Sequence, residues 1–171
     1  QRFSKALLAY PGVTFMDTIL ARLILASMTQ LLIGFILFSA IILMYDLDVI
    51  VNIPAMALAY LMSFSLGLGI GTLNSYLLTL YPLWEKAWAI MNRPLFIASC
   101  IFFLFDTVPM PYRDWLWWNP LVHCIGKIRS GFYIHYDALY ASPLYVFVVS
   151  GLVGLTGMLF LSRHYRELLE I

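Results

Sequence analysis

The sequence predicts an all-α, polytopic integral membrane protein, and three observations carry that prediction. Hydrophobic residues fill 63% of the 171 positions and charged residues only 11%. The mean hydropathy is +0.88, well above what a water-exposed surface of this size tolerates. Uncharged stretches also recur at the length which, at about 1.5 Å per residue, carries a helix across the roughly 30 Å hydrocarbon core of a bilayer. In that core backbone polar groups must be satisfied internally, so apolar runs of this length are helical.

The elements follow in order. FSKALLAYPGVTFMDTILARL, Phe3 to Leu23, interleaves apolar residues with Lys5, Asp17 and Arg22 and breaks at Pro11-Gly12. Residues 1–22 are therefore expected to form an N-terminal amphipathic helix on the cytoplasmic side. Leu23 to Tyr45 carries no charge and forms the first span. Asp46 and Asp48 make a tight polar turn. The uncharged run from Val49 to Trp84 is too long for one crossing and too short for two, and Pro54 and Pro82 mark its edges. One long or tilted helix at Pro54 to Leu80 results. The third span is less regular, because Arg93 and Pro94 interrupt it and Pro94 to Phe105 alone is below spanning length. Its helix starts near Glu85 or is short. Leu144 to Ser162 is the last span, followed by the charged tail SRHYRELLEI. Four transmembrane helices are expected. The chain begins at Gln1 with no pattern of a signal peptide and is expected to be an N-terminally truncated fragment.

Lys and Arg set the orientation. With both ends cytoplasmic, Arg2, Lys5, Arg22, Lys86, Arg93, Arg163 and Arg166 lie inside, against Arg113, Lys127 and Arg129 outside. The segment 107–143 is then the outer loop between the last two spans. Within it, RDWLWWNPLVHCIGKIRSGFY places Trp115, Trp117 and Trp118 where an aromatic belt sits, since indole joins an apolar body to one N–H that needs a polar partner. WLWWNPLVHCI is also an uncharged run too short to cross, the mark of a re-entrant or interfacial segment. Asn119-Pro120 divides it into two short helices, because proline disfavours helix at the preceding residue and starts one well. A re-entrant hairpin follows from this reading, and bent backbone at membrane depth is tolerated only in protein or beside a wet cavity, hence a gate. On the second limb His123 and Lys127 share a helix face, with Arg129 nearby, as suits a path for something polar or anionic.

Composition narrows the function. A net charge of +1 with ten scattered Lys and Arg makes no basic field for nucleic acid. Cys100 and Cys124 lack CxxC spacing and read as small hydrophobes, with no disulfide, metal or cofactor expected. There is no GxxxxGK[ST] phosphate loop, so the chain is not expected to hydrolyse ATP. Gly67 and Gly71 in GLGIGTLNSY form a small-xxx-small pair suited to close helix packing, while Asn74 and Ser75 could instead hydrogen-bond a hydroxylated group along a pore. Tyr76, Tyr81, Trp84 and Trp88 form an aromatic series near the cytoplasmic side, a belt or a surface on which rings of a substrate stack. Arg93 has two readings of equal weight: it snorkels to the interface, or it meets a phosphate-bearing lipid head group in the pathway, since an ionisable residue inside a span costs about 3 kcal/mol.

The order of elements and the WNPLVHCIGKIRSGFY segment, above all WNPL followed by IRSGF, resemble the ABC-2 type permeases that export capsular polysaccharide in Gram-negative bacteria. The resemblance covers essentially the whole chain. It implies a single ABC-2 type transmembrane domain over 1–171, with two N-terminal spans of the family's usual six absent, and paired gate helices in 107–143. It implies a multi-pass protein of the bacterial inner membrane, working as a homodimer with a cytoplasmic ATP-binding subunit that contacts the 1–22 helix around Lys5, Tyr10, Pro11 and Gly12, the alternative for that helix being to lie flat on the lipid head groups. It further implies a lipid-linked polysaccharide as cargo, and periplasmic and outer-membrane export components as partners. An O-antigen or teichoic-acid exporter is the alternative within the class. A membrane glycosyl or lipid transferase using His123 or His135 with Asp114 or Asp137 is the alternative outside it, although the outer loop holds no carboxylate cluster or nucleophile with an obvious base.

Overall fold

In the computed structural model of this chain the described residues are 15–45, 51–133 and 136–163, and they form helices and connecting loops with no strand among them. The chain divides into two compact units, Gln1–Asp48 and Val49–Ile171. The first contains α1, Phe15–Tyr45, 31 residues long. Asp17 and Arg22 lie within this helix, which runs past residue 22, the expected boundary of the cytoplasmic segment, without a break. The reason is local: nothing between Phe15 and Tyr45 but Gly34 disfavours helix, and a single glycine costs only about 1 kcal/mol. Lys5, Tyr10, Pro11 and Gly12 lie outside the described residues, as do Asp46, Asp48 and His135.

The second unit contains α2 (Ile53–Leu80), α3 (Pro82–Ile97), a single 3-10 turn at Phe105–Thr107, α4 (Tyr112–Trp117), α5 (Pro120–Phe132) and α6 (Pro143–Arg163). Proline punctuates their starts. Asn52 caps α2 by accepting from the Ala55 N–H at 3.2 Å, with Pro54 in the first turn. Asn119 caps α5 by accepting from the Leu121 N–H at 3.1 Å, with Pro120 following. The Ser142 hydroxyl accepts from the Tyr145 N–H at 3.4 Å just ahead of α6. In each case the ring's fixed φ suits the first turn and its missing N–H is one the helix would leave orphaned.

α1, α2 and α6 each contain a stretch long and apolar enough to cross a membrane, and α3, at 16 residues with Pro94 inside, does not reach that length. α2 and α6 pack in parallel: Val146 meets Met62 and Leu66, Ser150 bonds Ser65, Gly154 abuts Gly69, Gly157 abuts Leu73, and Phe160 stacks on Tyr76. This seam uses Gly69, where a Cβ would strike the backbone of Ser150, and Gly157, where a Cβ would lie 2.7 Å from the Leu73 nitrogen. The Gly67 and Gly71 pair faces away from it, with nothing within 4 Å of either Cβ position. Spacing along the helix identified small residues on α2, but the face that α6 occupies was decided by the packing.

Candidate functional site

The site expected in 107–143 is built around the elbow between α4 and α5. α4 ends at Trp117, and Asn119 begins the next helix, so the chain breaks where Asn-Pro predicts. Turning a helix inside protein frees carbonyls that must find donors, since each left unsatisfied in hydrocarbon costs several kcal/mol. Here side chains supply the donors. His123 Nε2 lies 2.8 Å from the Trp117 carbonyl, and the Tyr145 hydroxyl donates to the Trp118 carbonyl at 2.7 Å. The Asn119 amide donates to the Ala98 carbonyl at 3.1 Å while its oxygen caps α5, tying the end of α3 to the elbow. Arg129, from the last turn of α5, donates to the carbonyls of Phe103 at 2.9 Å and Ile101 at 2.6 Å. One fork thus closes two carbonyls of the loop that descends from α3, a geometry that suits guanidinium.

His123 has no exposed surface. Its Nδ1 accepts the Ser142 N–H at 3.1 Å. An N–H can only donate, so Nδ1 is the bare nitrogen and Nε2 carries the proton given to Trp117. The ring joins three elements at once: its own helix, the end of α4 and the entry to α6. Trp117 packs edge-on against it at 5.1 Å, and Tyr145 lies at the same centroid distance. Of the three tryptophans, then, Trp117 is turned inward, while Trp115 and Trp118 are 80% and 69% exposed. His123 lies inside the elbow, and its partner on the expected shared face, Lys127, is half-buried farther along α5.

α5 is held from two sides. Leu121 and Cys124 pack with Met62, Leu66 and Val146, while Val122 packs with Cys100 and Phe105. Both cysteines are free and buried, and each belongs to one of these apolar clusters. Gly131 lets the last turn of α5 approach Met56, and the Gly131 carbonyl accepts from the Asn52 N–H at 2.8 Å. Gly126 leaves room for the Tyr140 hydroxyl, which sits 3.0 Å from that of Tyr136. Burial first, and then the neighbouring Tyr136, push the Tyr140 phenol well above its ordinary range, so it stays protonated. Beside it Arg113 pairs with Asp106 at 3.4 Å and stands over the Phe105 ring.

The other expected site residues lie elsewhere. At the far end of α2 the Trp84 indole donates to Asn74 at 3.0 Å and stacks on Trp88, which occupies the Asn74 carbonyl oxygen within the chain. Tyr76 is buried against Phe160, and Tyr81 is exposed at the turn between α2 and α3. Arg93 is exposed on α3, a helix with no buried residue. Tyr145, Ser142 and Ala98 were not singled out by sequence, because nothing in their local spacing signals that they serve an elbow twenty or more residues away. Among the described residues no group of His, Cys, Asp and Glu is placed to hold a metal ion.

These features define a multi-pass membrane protein, helical throughout its described elements, with a side-chain-braced elbow between two parallel spans. No family model matches the chain. Its sequence is homologous to inner-membrane proteins of capsule polysaccharide export. It is 27% identical over 146 residues to the polysialic acid transport protein KpsM of Escherichia coli, covering 80% of this chain and 57% of that one. It is 25% identical over 162 residues to the capsule polysaccharide export inner-membrane protein CtrC of Neisseria meningitidis serogroup A, covering 92% of this chain and 60% of that one. It is 26% identical over 133 residues to the export protein BexB of Haemophilus influenzae, covering 75% of this chain and 48% of that one. The chain therefore spans between 48% and 60% of the length of these relatives. The comparison supports the resemblance drawn from WNPL and IRSGF, and with the spanning helices it identifies a multi-pass protein of the inner membrane.

Proposed function

We propose that this chain is the membrane-spanning part of a permease subunit that exports a lipid-linked capsular polysaccharide, working as a homodimer with a separate ATP-binding subunit. The similarity to three export proteins over three quarters or more of the chain carries the reading. Both ends of the chain are cytoplasmic, and the chain crosses four times. The parallel sense of α2 and α6 supports this count, because the segment between them has to return to the side where α2 began, and α3 is its one long helix. The elbow of α4 and α5 is the outer gate, with Arg93 and Lys127 as cations along the route of an anionic polymer and Trp84, Tyr81 and Tyr76 near its inner entrance.

The geometry also weighs against a transferase built on His123. A catalytic imidazole needs a nitrogen free for substrate, and both of its nitrogens are engaged by backbone groups in a fully buried position. The test of the export reading is surface polysaccharide, measured per unit of membrane-inserted protein, in cells where the full-length gene is deleted and then restored. Co-purification with an ATPase checks the partnership. Export unchanged by deletion would refute the reading.

A further inference from the structure

α3 is held differently from its neighbours. None of its residues is buried and none joins either apolar cluster, whereas α2, α5 and α6 share the first of them. Hydrogen bonds at its two ends fix it instead. At the first end Tyr81 is the single extended residue between α2 and α3, since Pro82 disfavours helix at the residue before it. Across that hinge the Trp84 indole, in the first turn of α3, donates back to Asn74 of α2 at 3.0 Å. One bond therefore spans the hinge and sets its angle. At the far end the Ala98 carbonyl accepts from the Asn119 amide of the elbow at 3.1 Å, and just beyond it the carbonyls of Ile101 and Phe103 accept from Arg129.

With 16 residues α3 is about 24 Å long, so a tilt of about 10° at Tyr81 carries its far end about 4 Å. A hydrogen bond is lost once its atoms are about 3.6 Å apart. The bond from Asn119 to Ala98 has too little slack for that swing, and the elbow follows α3 or lets go of it. We propose that α3 is a linkage that makes the elbow answer to the angle at the Tyr81 hinge, with Trp84 and Asn74 as positioning residues that hold the angle. The inference rests on the gate reading above and deepens it by naming what the gate is geared to. It also gives the Trp84 N–H a task that its ring alone cannot perform.

Distances between spin labels test the linkage in vesicles of the full-length protein. The labels go on Leu61→Cys of α2, Ile97→Cys at the far end of α3 and Tyr112→Cys of α4, taken in pairs, all three positions being exposed while Cys100 and Cys124 are buried. Labelled protein is diluted into an excess of unlabelled protein, so that each distance is read within one copy. Asn74→Leu removes the acceptor and leaves both tryptophans in place. It should widen the 61–97 and 61–112 distance distributions together, by about 4 Å for each 10° of tilt released, and leave 97–112 as in the wild type. Widening of 61–97 alone would overturn the proposal, because the strap or a kink at Pro94 would then take up the swing. No widening would show that the clasp holds no angle, and widening of all three pairs would mean general loosening; either result also overturns it. Trp84→Phe keeps a ring and removes only the donor, so it should repeat the Asn74→Leu result, and a wild-type pattern in it would assign the effect of Asn74 to packing. None of these outcomes needs transport. The distances therefore judge the linkage, while surface polysaccharide judges the export reading separately.

Discussion

Two side chains carry most of the wiring at the elbow, and each invites a test that separates charge from geometry. Arg129 closes the Ile101 and Phe103 carbonyls with one fork. If its charge alone served an anionic polymer, Lys would replace it, whereas a brace needs the planar guanidinium. Arg129→Lys is therefore expected to impair export nearly as much as Arg129→Gln, measured as surface polysaccharide per inserted protein. Full function in the Lys variant would make Arg129 a pathway charge only. His123→Leu orphans the Trp117 carbonyl and the Ser142 N–H, at about 1–3 kcal/mol for each buried group, so the detergent-solubilised protein should melt several degrees lower. An unchanged melting temperature would show that water replaces the ring.

At the scale of elements, the seam of α2 with α6 and the break of α4 from α5 make opposite demands. The seam needs small residues on one face only. Gly69→Leu should overpack it, costing about 1–3 kcal/mol and lowering the yield of folded protein, while Gly67→Leu should be tolerated by the isolated fold. Equal damage from both would mean that another surface covers Gly67. The break needs Asn119 and Pro120 together, because one supplies the cap and the tie to Ala98 and the other stops the preceding helix. Asn119→Leu with Pro120→Ala should abolish export or leave the channel leaky at near-normal protein levels. Normal export from that variant would reduce the segment to an interfacial anchor.

For the whole molecule, orientation and energy supply are open to measurement. The bias of basic residues predicts that a reporter fused at Ala141 reads outside and one at Ile171 inside. An outside reading at Ile171 would invert the map. Without a phosphate-cradling loop in this chain the purified protein should hydrolyse no ATP until the ATP-binding subunit proposed above is added. Hydrolysis by the protein alone, after removal of contaminants, would contradict the subunit assignment.

Much of this was legible in one dimension. Proline and asparagine act on their nearest neighbours through fixed φ and short side-chain caps, so the starts of α2 and α5 and the elbow could be placed from Pro54, Asn119 and Pro120 alone. Hydrocarbon thickness sets a length, so the spans expected at 54–80 and 144–162 followed from uncharged runs, and the helices run 53–80 and 143–163. Register between helices is different in kind, because it depends on which faces meet, and every face of α2 is apolar. Only the packed structure selected Gly69 over Gly67 and Gly71, turned Trp117 inward and Trp115 outward, and joined His123 to Ser142 and Arg129 to Ile101. Those contacts join residues 19 and 28 positions apart, a separation over which no local periodicity carries information. The sequence determined that this chain crosses a membrane and bends at Asn119-Pro120, and tertiary contact decided what holds the bend.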